Sequence, residues 1–258
     1  MRHGSLFSGI GGFDLAASWR GWQNVFHVEQ DAFCQRVLTH HFPESDAHHD
    51  IKTFDAAQYA NGIDILTGGF PCQGFSTNGK RKGMRDARWL WPEMFAVVRA
   101  IQPTWVIAEN VRGFTNYSQG HALDTVCHDL EDEGYTVRPF ILPAACTRAP
   151  HARQRIFIVA TNTHGHGLER GISANVNRQQ PVQAAHAQER IHSHRAAIPF
   201  QAFPTVPAVC GSDDGVPAGM DGITIREWRK QTLKAYGNAV VPQLAAMLFD
   251  CIESIKDV

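Results

Sequence analysis

The sequence predicts an α/β protein in which helices cover both faces of a parallel β-sheet. Three observations lead to this fold class. Short apolar runs alternate with stretches of helical periodicity from the N-terminus to about residue 161. The central runs are apolar at consecutive positions, as in strands that are buried on both faces. A glycine-rich turn follows the first run and leads into a helical stretch, which is typical of a first βα unit.

Six strands are predicted within this pattern, at SLFS (5–8), NVFHV (24–28), DILTG (64–68), TWVIA (104–108), TVRPFIL (136–142) and RIFIVAT (155–161). Helices are predicted where apolar residues recur three or four positions apart. The first begins near Phe13, and the others contain Leu90, Met94, Val98 and Ile101, then Leu123, Val126 and Leu130, then Leu244, Leu248, Ile252 and Ile255. A shorter helix is predicted around residues 227–233.

The composition is that of a globular protein with a core of its own. Of the 258 residues, 43% are hydrophobic and 19% are charged, which excludes wholesale disorder and fibrous repeats. No apolar run reaches the roughly 18 residues of a membrane span, and the N-terminus lacks the pattern of a signal peptide. We therefore expect a cytoplasmic monomer with no membrane partner. Because the net charge is −1, any polyanion must be met by local clusters of cations.

Two regions of the chain differ in character. Residues 1–161 and 237–258 carry the α/β pattern and are predicted to form the main domain. Residues 162–236 lack sustained periodicity and are predicted to form a small irregular region between them. The six cysteines form no CxxC pair, so we expect free thiols and no structural zinc site. The histidine clusters have no four-ligand spacing, which favours solvated side chains over a metal site.

Polar features follow the first two predicted strands. Gly9, Gly11 and Gly12 form a turn that lets a ligand approach the backbone and points helix N–H groups towards it. Glu29 ends the second strand about 20 residues later, where such folds place an acid against ribose hydroxyls. The pattern indicates nucleotide binding, and a purely structural glycine turn is the alternative.

Cys72 and Glu109 follow the next two strands. Cys72 lies in GGFPCQGFS, just beyond a buried strand, where open α/β sheets build their sites. We interpret it as a nucleophile, the alternative being a buried cysteine that acts as a small hydrophobe. Glu109 lies in AENVRGF after the apolar run WVIA, so we expect a partly desolvated carboxyl. Its alternative role is to cap the following turn.

Two further motifs are ambiguous by themselves. In HARQRIF, Arg153 and Arg155 are two positions apart, so both point to one face at the start of a strand. Two guanidinium groups on one face suit anions or carbonyl oxygens, and a solvated salt-bridge pair is the alternative. YGNAVVPQLA is a predicted Gly-Asn turn that leads into the last helix after Pro242.

Taken in order, SLFSGIGGFDLA, Glu29, GGFPCQGFS, ENVRGF, HARQRIF and GNAVVPQ resemble the motifs of the DNA cytosine-5 methyltransferases. In length the chain resembles the short members found in phages and prophages. The resemblance implies a Rossmann-like, S-adenosylmethionine-dependent methyltransferase sheet, with residues 162–236 as the target-recognition region. It implies methyl transfer to C5 of a cytosine flipped out of double-stranded DNA, through a covalent bond between Cys72 and C6. A restriction-modification or phage-protective role follows, with any cognate endonuclease encoded separately.

The resemblance also implies roles for individual residues. Cys72 matches the nucleophile, Glu109 the acid that engages N3 of the base, and Arg153 with Arg155 the pair that contacts the base and supports the loop. The positions that match the S-adenosylmethionine pocket are Phe7, Gly9, Gly11, Gly12, Glu29, Asp50, Ile51, Pro71 and Asn238. The positions that match the DNA-gripping loop after the nucleophile are Lys80, Arg81, Lys82, Arg85 and Arg88.

These residue types suit the chemistry. C5 of cytosine is a poor nucleophile, and addition of a thiolate at C6 generates an enamine that can attack a sulfonium methyl group. A free thiol is only about 3% ionised at pH 7, so nearby arginines or a helix N-terminus must favour the thiolate. Keeping a glutamic acid protonated at pH 7 requires about 3.7 kcal/mol from burial or from the bond to N3.

The chain departs from the family pattern at three places. His151 stands where Gln is frequent, and Gln30 stands where an aromatic residue is common. The motif that precedes GNAVVPQ in the family has no convincing copy here, and FPTVPAVCGSDDGVP (203–217) takes its place. Two alternatives therefore stay open: the same chemistry on tRNA, and a DNA-binding remnant without turnover.

Overall fold

The computed structural model describes residues 1–71, 89–147, 149, 153–162 and 225–256. In this part of the chain seven strands form one sheet: β1 (Arg2–Leu6), β2 (Gln23–Val28), β3 (Asp46–His48), β4 (Ile65–Gly68), β5 (Trp105–Val111), β6 (Tyr135–Pro143) and β7 (Gln154–Asn162). The helices are α1 (Gly12–Trp19), α2 (Ala32–His41), α3 (Trp91–Ile101), α4 (His121–Asp132), α5 (Ile225–Asn238) and α6 (Pro242–Lys256). None of these described helices has the length and apolar character to cross a membrane.

The sheet is mixed, in the order β3-β2-β1-β4-β5-β7-β6. The five strands β3, β2, β1, β4 and β5 are parallel to one another, whereas β7 runs antiparallel to both β5 and β6. The prediction of a wholly parallel sheet was therefore wrong at β7. Only residues 144–153 separate β6 from β7, which is shorter than the dozen or more residues that a parallel crossover requires.

Helices cover both faces of the sheet, as predicted. Successive residues of β5 point to opposite faces, so Val106 and Trp105 enter different apolar clusters. The first cluster includes α3 and α4, with Trp91 and Met94 almost fully buried. The second joins α1 to α6, where the Trp22 and Phe249 rings stack with centroids 4.5 Å apart. Burial of these large side chains holds the strand ends in fixed positions.

Several boundaries differ from the predicted ones. The first strand ends at Leu6 rather than residue 8, because Phe7 adopts a left-handed φ of 52°. The helix predicted for residues 227–233 extends over the whole of α5. Gly237 and Asn238 consequently end a helix and do not form the predicted Gly-Asn turn. Free thiols are confirmed for the described cysteines Cys34, Cys127, Cys146 and Cys251.

Candidate active site

The carboxyl ends of the parallel strands bring many of the predicted site residues to one edge of the sheet. In strand order these residues are Asp50 and Ile51 after β3, Glu29 after β2, Phe7 after β1, Pro71 after β4, and Glu109 near the end of β5. Neighbouring ends are bonded directly, since Glu29 N–H donates to the His48 carbonyl at 3.0 Å. Open α/β sheets form their sites at this edge. These residues, which the sequence analysis grouped as site residues, therefore lie at the same edge of the sheet.

Some predicted residues lie outside the described part of the chain. These are Cys72 and the five cations Lys80, Arg81, Lys82, Arg85 and Arg88, together with His151, the 203–217 stretch and the histidines at 164–194. The described part of the chain stops one residue before the predicted nucleophile, at Pro71, which follows β4 and Phe70. The position of Cys72 beyond β4 stays a prediction.

The glycine turn after β1 has the open backbone that a ligand needs. Gly9 has a φ of 57°, a conformation that favours glycine, and a Cβ built on it would meet no atom of the described residues within 4 Å. Hydrogen bonds fix the turn, because Ser8 N–H donates to the Val28 carbonyl and Gly11 N–H donates to the Ser8 carbonyl. The turn is thus rigid, with free space beside Gly9.

The Glu29 carboxylate connects this turn to the start of α2. One carboxylate oxygen accepts from Gly9 N–H at 2.7 Å, and the other accepts from Asp31 N–H at 2.7 Å. Each oxygen keeps a further lone pair, which can accept a bond from a hydroxyl group. An acid with free acceptor capacity beside an open backbone turn fits the ribose of a nucleoside-bearing cofactor.

A buried carboxyl below the turn escaped the sequence reasoning. Asp14 is fully buried in the first turn of α1, and one of its oxygens accepts from the Ser5 hydroxyl at 2.8 Å. The Ser5 hydroxyl also lies 2.6 Å from that of Ser8, within the glycine turn. Burial raises the pKa of Asp14 to about 7, although the bond from Ser5 lowers it. In the sequence, an acid at a helix start gives no sign of such burial.

Glu109 forms an ion pair with Arg155 at the same edge. Arg155 Nε lies 2.9 Å from Glu109 Oε1, and the two side chains are 20% and 8% exposed. Burial raises the pKa of Glu109 to about 7, against the charges of Arg155 and Arg153, which lower it. The desolvation predicted from the run WVIA is confirmed. A carboxyl that titrates near neutrality can both hold and release a proton.

Two residues shape the space beside Glu109. A Cβ on Gly69 would lie 3.3 Å from Glu109 Oε2, so the absence of a side chain leaves room for the carboxyl. The Asn110 side-chain amide donates to the Phe70 carbonyl at 3.1 Å, and its oxygen accepts from Val111 N–H. Asn110 therefore holds the segment that leads to Pro71. Gly69 was not among the predicted site residues, although the doubled glycine before Phe70 was visible in the sequence.

Arg153 and Arg155 both lie at the start of β7 but contact different groups. The Arg153 guanidinium donates to the carbonyls of Gly237 at 2.9 Å, Ala239 at 2.6 Å and Tyr236 at 3.5 Å. Burial and the nearby Arg155 lower the pKa of Arg153. The antiparallel direction of β7 brings both arginines to the edge where β5 ends, since Val111 pairs with Arg155.

A cavity of about 370 Å³ lies between α2 and α5. Its lining includes Asp31, Arg36 and Lys234, and Lys234 Nζ lies 2.8 Å from the Asp31 carboxylate. Among the residues that the structure describes, none of the predicted cofactor or catalytic residues lines this cavity. Asp31 connects this cavity to the sheet edge, since its N–H donates to the Glu29 carboxylate at 2.7 Å.

Comparison with known proteins gives one family. The model of C-5 cytosine-specific DNA methylase matches residues 1–201. Type II methyltransferase M.Eco47II of Escherichia coli is 37% identical over 158 residues, which cover 60% of this chain and 38% of that protein. Type II methyltransferase M.HhaI of Haemophilus parahaemolyticus is 34% identical over 160 residues, 62% of this chain and 48% of that protein.

A solved structure has a similar fold. It is that of a prophage-encoded protein of E. coli assigned as a DNA modification methyltransferase, with 27% identity and a TM-score of 0.54. The match covers 63% of this chain and 47% of that chain. The chain thus spans less than half the length of these three relatives.

Proposed function

The chain belongs to the C-5 cytosine-specific DNA methylase family, and from this membership we propose that it transfers a methyl group from S-adenosylmethionine to C5 of cytosine in double-stranded DNA. The observation that carries the proposal is the ion pair between the buried Glu109 and the partly buried Arg155 at the carboxyl edge of the sheet. This pair stands next to the strand end from which the chain continues to Cys72. The recognition role of residues 162–236 belongs to the same proposal.

Glu109 and Arg155 control a proton in this proposal. With a pKa of about 7, Glu109 is close to half protonated at neutral pH, so it can donate a hydrogen bond to N3 of the base. Arg155 orients the carboxyl through the contact at Oε1. Protonation at N3 withdraws electrons from C6, which favours attack by the Cys72 thiolate and formation of the S–C6 bond.

The covalent step then makes C5 reactive and is later reversed. Bond formation between Cys72 Sγ and C6 pushes electron density to C5, which would bond to the methyl carbon as the bond from that carbon to the sulfonium sulfur breaks and S-adenosylhomocysteine leaves. Loss of the C5 proton to a base and cleavage of the S–C6 bond restore the aromatic ring and the thiolate. The cytosine must leave the duplex before the Cys72 thiolate can attack C6, because neither face of the C5–C6 bond is accessible in the base stack.

S-adenosylmethionine, when bound, supplies an electrophilic methyl group on a sulfonium. The residues that would hold it are those of the predicted pocket, chiefly the glycine turn and Glu29. Their chemistry fits, since Gly9 faces open space and the Glu29 carboxylate has free lone pairs for ribose hydroxyls. The cations from Lys80 to Arg88 would contact DNA phosphates, so DNA binding should weaken as salt rises.

The function is tested in a bacterial host that lacks cytosine methylation. Genome-wide mapping of 5-methylcytosine should find modification at one short motif with the wild-type chain and none with Cys72→Ser. Cys146→Ser is the matched control, because Cys146 is an exposed free thiol with no predicted role in the reaction, and it should methylate normally. Cys72→Ala should bind the cofactor as the wild type does.

Three outcomes separate the alternatives. Methylation that persists in Cys72→Ser would remove Cys72 as the nucleophile. An unmodified genome combined with labelled methyl incorporation into purified tRNA would replace DNA by RNA as the substrate. Binding of DNA and cofactor without any methyl transfer would identify a binding protein without turnover.

A further inference from the structure

Arg153 holds the backbone on both sides of Asn238. Its Nη1 donates to the Gly237 carbonyl at 2.9 Å, and its Nη2 donates to the Ala239 carbonyl at 2.6 Å. A third contact reaches the Tyr236 carbonyl at 3.5 Å. These carbonyls belong to the C-terminal end of α5 and the link to α6, where helical carbonyls lack partners within the helix. A guanidinium fork can satisfy two of them at once.

The same link contacts the glycine turn. A Cβ on Gly12 would lie 2.6 Å from the Val240 carbonyl oxygen, so the backbone after Ala239 packs directly on the start of α1. A shift of residues 237–240 would therefore be transmitted to Gly12 or would leave a gap beside it. The link forms part of the support of the predicted cofactor turn, and Asn238 is itself one of the predicted cofactor residues.

We propose that Arg153 is a positioning residue for the cofactor site, acting through Asn238 and the 237–240 link. The inference rests on the proposed function and assigns Arg153 a task different from base contact. Its neighbour Arg155 pairs with Glu109, whereas Arg153 uses its donors on backbone carbonyls. The start of β7 thus serves two sites: Arg155 pairs with Glu109 at the cytosine site, and Arg153 supports the cofactor site.

The test measures cofactor affinity without turnover. The full chain is titrated with S-adenosylhomocysteine by calorimetry, as wild type, Arg153→Lys and Arg153→Gln. Lys keeps the charge but lacks the planar fork, so we expect both variants to bind at least about tenfold more weakly. Arg20→Lys is the matched control: Arg20 also donates to a carbonyl of α6, that of Ala246, but does not contact the 237–240 link, and this variant should bind normally. Thermal unfolding checks that each variant is folded.

The outcomes distinguish this inference from the proposed function. If the folded wild type does not bind S-adenosylhomocysteine, the proposed function fails and this inference falls with it. If the wild type binds and folded Arg153→Lys and Arg153→Gln bind equally well, Arg153 has no positioning role. Unchanged affinity for S-adenosylhomocysteine together with a raised KM for DNA would show that Arg153 contacts the cytosine, as the resemblance implies. If neither Arg153 variant folds, Val240→Ala decides, because it removes side-chain packing from the 237–240 link without changing a predicted cofactor residue. Weakened binding then supports the role of the link, and normal binding overturns it.

Discussion

Replacement of Glu109 by glutamine tests whether burial sets the protonation of this carboxyl. Burial raises the pKa of Glu109 from its usual 4.5 to about 7, so the folded chain binds this proton more tightly than the unfolded chain does. The free energy of unfolding therefore falls as pH rises from about 4.5 to about 7. Between pH 5 and pH 8 this one group should cost about 2.5 kcal/mol of stability.

Glutamine at position 109 does not titrate, so the variant lacks this pH-dependent cost. The difference in free energy of unfolding between Glu109→Gln and wild type should therefore grow by about 2.5 kcal/mol from pH 5 to pH 8. The ion pair with Arg155 forms only with the ionised carboxyl, so its effect is already contained in the pKa of about 7 and adds no separate pH dependence. Urea unfolding at four pH values measures the slope, and a methyl-transfer assay on the same samples should show loss of activity.

Glu133→Gln is the control, since Glu133 forms a surface ion pair with Arg99 at 2.9 Å. Such pairs contribute under about 1 kcal/mol, so the control should change stability little. A Glu109→Gln stability difference that is constant across pH would refute the claim that burial raises the pKa of Glu109. Full methyl transfer by this variant would refute its role as the proton donor.

Three further predictions concern the same edge of the sheet. Asp14→Asn should raise the free energy of unfolding by up to about 4 kcal/mol at pH 8 and by much less at pH 4, because the raised pKa of Asp14 makes its charged form costly. Equal gains in the free energy of unfolding at both pH values, measured by urea unfolding, would contradict this. Gly69→Ala should lower kcat for methyl transfer with little change in cofactor Kd, because the new methyl group would lie 3.3 Å from Glu109 Oε2, and an unaltered kcat would show that the carboxyl has room. Glu29→Ala should weaken S-adenosylhomocysteine binding, since it removes the acceptor for both Gly9 and Asp31 N–H; calorimetry that finds normal affinity would exclude Glu29 from the pocket.

The sequence predicted six of the seven described strands from their apolar runs, which are buried in strands such as β4 and β5, whereas Phe140 and Ile141 of β6 are exposed at the edge of the sheet. It missed β3, which has only three residues and pairs on one side at the edge of the sheet. It also missed α2, where only Cys34 and Leu38 are buried, so no clear apolar stripe exists. The cap of α2 at Asp31 was the available signal, since its carboxylate accepts from the N–H groups of Phe33 and Cys34.

The candidate site was predictable where motifs follow strand ends, as at Glu29 and Glu109. Motif spacing alone could not separate the tasks of Arg153 and Arg155, because two positions on one strand face point the same way near the backbone. Their different partners arise from tertiary packing, which brings Glu109 of β5 to Arg155 and the carbonyls of the 237–240 link to Arg153. Asp14 was hidden for a similar reason, as its burial depends on contacts with Ser5 that no local pattern records.

The reversed direction of β7 also decides where the rest of the chain attaches. The strand enters at Arg155, beside Val111, and leaves at Asn162, whose N–H donates to the Thr104 carbonyl just before β5 begins. The connection to α5 therefore departs from the margin opposite the chemical groups, while α5 ends against Arg153. The sheet thus holds the start of this connection through Asn162, and Arg153 holds the C-terminal end of α5. Because the connection leaves the sheet at the margin opposite Glu109 and Arg155, we expect a change in its length to leave these reacting groups in position.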